Sequence, residues 1–170
     1  MVIAAGASQG TSHILLMIIL VGLITAAGLF GYGGSTLARR GDGRSGTGGL
    51  LRSLAAFAGA ATAALYVWGS LHLLGAFLDT EGMGATTFQE CLDAGGAEKA
   101  AKVDGYEVEY LPIRYVCRID EGGSYTAAVP GYVNPAMLAS AASAVALAVA
   151  AAVASERRDR AAFQAETSGP

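Results

Sequence analysis

Histidine, cysteine, lysine and tryptophan are scarce in this chain, and charge is missing altogether from three long stretches. Two histidines (His13, His72), two cysteines (Cys91, Cys117), two lysines (Lys99, Lys102) and one tryptophan (Trp68) occur among 170 residues. No histidine lies between Asp79 and Val133, so no Ser/His/Asp or Cys/His catalytic constellation can be assembled in that segment. The cysteines stand 26 positions apart, far from the C-x-x-C spacing of thiol exchange. No basic residue precedes the first apolar run, which therefore lacks the flank of a secretory signal peptide. A cleaved signal ending near Ala26 or Ala27 is the alternative, and the missing basic flank counts against it.

Residues 14–31, 53–78 and 136–155 contain no Asp, Glu, Lys or Arg. Each is close to or above the roughly 18 to 20 residues that cross a bilayer core as a helix. The charges between these runs are sorted by sign. The connection 33–52 carries Arg39, Arg40, Arg44 and Arg52 against Asp42, and the end of the chain adds Arg157, Arg158 and Arg160. The connection 79–133 holds ten carboxylates against Lys99, Lys102, Arg114 and Arg118. Arginine on one side and carboxylate on the other is the pattern of positive-inside topogenesis.

The expected fold is therefore membrane α-helical. It has three transmembrane helices and a small α+β, disulfide-stapled extracytoplasmic domain between helices 2 and 3. The boundaries are 1–12 for an outer N-terminal segment, 13–32 for the first helix and 33–52 for a flexible cytoplasmic Gly/Arg linker. The second helix takes 53–78, the outer domain 79–133, the third helix 134–155 and a frayed cytoplasmic tail 156–170. The bias toward Ala, Gly and Arg points to a high-GC bacterial genome, and hence to the bacterial cytoplasmic membrane.

An even number of cysteines on the oxidising side of a membrane predicts a Cys91–Cys117 disulfide. Closing a loop of that size contributes on the order of 3 kcal/mol in the chain-entropy account, which so small a domain needs. Within it, a helical stretch from Thr86 or Thr87 to Val103 is broken at Gly95-Gly96. Alternation at Tyr106–Tyr110 and Ile113–Ile119, a turn at Asp120–Gly123 and a further run at Ser124–Val129 predict a two- or three-stranded meander. Asn134-Pro135 reads as an N-cap followed by proline at the first helical position of the third span. Ala55, Gly59 and Ala63 form a small-residue stripe on the second span, which permits close approach of another helix.

The motifs with chemical meaning are few. Gly41-Asp42-Gly43-Arg44-Ser45-Gly46 matches G-x-G-x-x-G, but no βαβ unit surrounds it and the lysine of a phosphate-binding loop is missing. His72 lies seven positions before Asp79, roughly 10 Å down a helix, with Trp68 one turn away. His13 opens the first span at the same level, with Met17 on its face and Met83 and Met137 nearby in depth. Together they are candidates for copper or haem ligation. The competing reading is an interfacial histidine hydrogen-bonded beside an aromatic anchor. Glu107 and Glu109 share one face of a strand, and are read as the wet side of an amphipathic strand, with Arg114 and Arg118 as cross-strand partners.

The function expected from these residues is that of a non-enzymatic accessory or interaction subunit with no cofactor. Its partners would be membrane lipid and either other membrane-protein subunits or further copies of itself, and not nucleic acid. Tyr106, Tyr110, Tyr115, Tyr125 and Tyr132 supply both sheet core and contact surface in this reading. The rival is a metal- or haem-linked redox or transport component using His13 and His72. A channel subunit would lack charged residues inside its spans to line an ion path.

Overall fold

The computed structural model describes residues 2–3, 8–39, 47–82, 89–120 and 122–167. The chain is mostly helical. Its elements run β1 (Val2–Ile3), α1 (Ser8–Ala38), α2 (Thr47–Gly82), α3 (Gln89–Ala100), β2 (Val103–Tyr110), β3 (Ile113–Ile119), β4 (Gly123–Ala127) and α4 (Val133–Thr167). Among the described residues, three helices carry segments long and apolar enough to cross a membrane: His13–Ala38, Thr47–Ala76 and Val133–Thr167. Their exposed residues include Leu16, Met17, Leu20, Ile24 and Phe30 on α1 and Leu138, Val145 and Val149 on α4, a surface suited to lipid rather than water.

All three helices outrun the spans expected from charge alone. α1 continues through Gly33-Gly34 to Ala38, and α2 begins at Thr47, so the supposed flexible linker is helical at both ends. Ser35 and Thr36 donate their hydroxyls to the Tyr32 carbonyl, which satisfies these polar side chains within the helix. Residues 40–46, including the G-x-G-x-x-G motif, lie outside the described residues. The expected frayed tail is helix to Thr167, with an Arg160–Glu156 ion pair across one turn. The charged residues do not end the helix, because Ala, Arg, Glu and Gln are all good helix formers.

The chain divides into two compact units. One comprises Met1–Leu23 with Ala64–Ala136 and contains the sheet. Its strands are antiparallel in the order β1-β2-β3-β4. In β2 and β3, Tyr106, Val108 and Tyr110 stand opposite Cys117, Tyr115 and Ile113, and this register brings the apolar positions to one face. That face is not closed by the segment 79–133 alone. The core joins Ile113, Tyr115, Cys117, Val108 and Ala127 with Cys91 of α3, Leu15 of α1, and Leu73 and Ala76 of α2. The expectation of a self-contained domain set between the second and third spans is thus corrected. So small a sheet buries its apolar side only by borrowing helix residues, and it takes an added edge strand, β1, from the N-terminal segment.

The second unit comprises Ile24–Ala63 with Met137–Pro170. Gly33 of α1 sits against α2: a Cβ there would lie 3.3 Å from the Ser53 carbonyl oxygen and from the Phe57 ring. The buried Ser53 hydroxyl donates to the Gly33 carbonyl at 2.7 Å, and Phe30 meets Phe57 edge-on. Gly59, in the small-residue stripe, faces Leu29 of α1. Thr62 donates to Ser140, which donates to the Met137 carbonyl, tying α2 to α4.

Candidate functional site

The disulfide is present: Cys91 and Cys117 are bonded, both fully buried, with Cα atoms 6.0 Å apart. It joins α3 to the central strand β3, helix to sheet as expected. A second fastening runs beside it. Gly96, at φ +73°, breaks α3 at the expected glycine pair. Gly95 lies against the Tyr125 ring, where a Cβ would come within 2.7 Å of ring atoms. The ring reaches over this glycine, and its hydroxyl donates to the Cys91 carbonyl at 2.8 Å. Burial raises the Tyr125 phenol above its ordinary value. Tyr110 is raised too, by burial and then by the neighbouring Tyr66, whose hydroxyl donates to the Tyr110 carbonyl.

The residue that joins the sheet to the apolar helix α4 is Asn134. Its Oδ1 accepts from the Ile113 N–H at 3.0 Å, and its Nδ2 donates to the Ile113 carbonyl at 2.9 Å. The side chain thereby stands in for a neighbouring strand on β3. This corrects the expected N-cap: α4 starts one residue earlier, at Val133, and the amide is spent on another element. Val133 is fully buried, and with Ile113 it packs on Gly69 of α2, where an added Cβ would lie 2.9 Å from Ile113 Cδ1. The Asn-Pro pair marked the position, but nothing local could reveal a partner 21 residues upstream.

The histidines are placed differently from each other. His13 is exposed on α1, on the same outward side as Met17 and away from the buried Leu15. His72 is half-buried, its ring edge-on to Trp68 with centroids 5.0 Å apart. Trp68 in turn donates its indole N–H to the Tyr132 hydroxyl at 3.2 Å. The His72 Nε2 atom is buried without a hydrogen-bond partner among the described residues. No group of three or more His, Cys, Asp or Glu side chains able to hold a metal ion occurs among the described residues. Met83 lies outside them.

Glu107 and Glu109 stand on the sheet face away from the core. Arg118 Nε donates to Glu107 at 3.1 Å, forming an ion pair, and Glu109 is directly opposite Arg114. With Ser124 and Thr126 this is a polar face with charges of both signs. The tyrosines are more inward than expected. Tyr115 is wholly buried and stacks on Tyr106, Tyr110 and Tyr125 are half-buried, and Tyr132, 57% exposed, is the one left open. The polar β2–β3–β4 face, not a tyrosine patch, is therefore what the sheet offers to its surroundings. Comparison of the chain with protein-family models, with curated proteins and with solved structures finds no match.

Proposed function

We propose that the chain is a non-enzymatic, three-span integral protein of the bacterial cytoplasmic membrane, an accessory or interaction subunit that presents its α+β unit outside. The N-terminal end is outside and the C-terminal end cytoplasmic, as the arginine distribution directs. The observation that carries the reading is the double fastening of β3. The disulfide holds it to α3, while Asn134 and the Gly69 seat hold it to α4 and α2. A sheet fixed this firmly to the ends of membrane helices presents its polar face in one orientation, which favours recognition of a partner membrane subunit or a second copy. The test is affinity purification in mild detergent from native membranes, followed by mass spectrometry. A stoichiometric complex that weakens on Arg114→Glu supports the reading; unchanged association after deletion of residues 86–129 refutes it.

A second reading rests on the unpartnered Nε2 of His72 beside Trp68. In it, that imidazole ligates a metal or haem, with His13 supplied from the same or another copy. Metal content and visible absorbance that stay the same in His72→Phe dispose of it.

A further inference from the structure

An apolar groove of about 610 Å³ lies within the second unit, walled by Leu29 of α1, by Ala55 and Gly59 of α2, and by Ala148 and Ala152 of α4. Its arginine-bearing end is shared with a cavity of about 300 Å³ lined by charged residues: Arg52 and Ser155 line both. The cavity adds Arg158, whose guanidinium approaches Gly48, and Asp159. Among the described residues the ion pairs are Arg118–Glu107 and Arg160–Glu156, so neither Arg52 nor Arg158 is neutralised by a carboxylate in one.

We infer that this groove holds one anionic phospholipid with a hydroxylated headgroup, of the phosphatidylglycerol kind, drawn from the cytoplasmic leaflet. An acyl chain fills the apolar part, where alanine methyls and Gly59 leave room for a methylene chain. The phosphate sits between Arg52 and Arg158, as guanidinium geometry favours. Asp159 accepts a hydrogen bond from a headgroup hydroxyl and disfavours a second anionic group. Charge selects the occupant: among the described residues, two arginines against one aspartate give the cavity lining a net +1, and basic pockets between helices on the cytoplasmic side suit anionic headgroups. The inference rests on the membrane-spanning reading with arginines inside, and its test has a separate readout for that reading.

Membranes containing the protein are first washed with alkaline carbonate; release into the supernatant would overturn the membrane-spanning reading itself. The purified full chain is then given equal amounts of phosphatidylglycerol and phosphatidylethanolamine in detergent and examined by native mass spectrometry. The expected result is retention of one phosphatidylglycerol, falling about tenfold or more in R52Q/R158Q. Ala148→Phe, which fills the groove and leaves both arginines, is expected to lower it as well. R157Q/R160Q, outside the cavity lining, is expected to retain the lipid. Equal retention of both lipids, or full retention in R52Q/R158Q by protein that resisted carbonate, overturns the lipid site alone. Displacement by inorganic phosphate also overturns it, as the sign of a simple anion site.

Discussion

At the scale of single residues, Asn134 carries more of the structure than its type announces. It satisfies both backbone groups of Ile113, whose side chain is buried against Gly69 and Val133. Asn134→Leu keeps the branching of the side chain and strands a donor and an acceptor, so thermal unfolding in detergent should show a loss of about 1 to 3 kcal/mol. Asn134→Asp can still accept from the Ile113 N–H but cannot donate to its carbonyl, and should fall between the two. Tyr110 and Tyr125 supply a pH dependence. Both phenols are raised in the folded state, so their contribution is intact below the unfolded tyrosine value of about 10 and is lost as pH rises past it. Unfolding midpoints measured across that alkaline range should drop, and the drop should shrink in Tyr125→Phe.

Among elements, contacts depend on where a glycine or a cysteine stands rather than on how many there are. Gly69 and Gly75 both lie on α2, yet a Cβ at Gly69 would meet Ile113 and Val133, while one at Gly75 would have nothing within 4 Å among the described residues. Gly69→Leu should therefore destabilise by about 1 to 3 kcal/mol through overpacking. Gly75→Leu should leave the melting temperature unchanged or raise it, since leucine is the better helix former. The Cys91–Cys117 bond joins α3 to β3, and replacing both cysteines by alanine should cost on the order of 3 kcal/mol in the sheet unit. The strand pattern was legible from alternation, and the Gly95-Gly96 break from composition. The helix ends were not, because the signal used to place them was charge, which reports the solvent and not the backbone.

For the whole molecule, the membrane topology is the property with the clearest test. Single cysteines placed at Ser124, on the exposed sheet face, and at Gln164, near the end of α4, are to be labelled in intact cells with a membrane-impermeant maleimide. The position at 124 should react from outside and that at 164 only after permeabilisation. Reaction of both from outside contradicts the orientation. The same cells serve for the partner search, since a sheet face presented outward is open to charge reversal at Arg114 without disturbing the core behind it.

Sequence alone determined what depends on composition along the chain: three apolar helices, the sorting of arginine from carboxylate, the alternating strands and the pairing of the two cysteines. Each of these follows from near neighbours or from simple counting. Tertiary structure decided how the sheet closes its apolar face, with Leu15, Leu73 and Ala76 supplied by helices and an edge strand supplied by Val2–Ile3. It also decided that His13 faces outward while His72 leans on Trp68, and that Arg52 and Arg158, more than 100 positions apart, line one cavity. Those outcomes join residues distant in the chain, and only packing sets which of many chemically equivalent partners comes within reach.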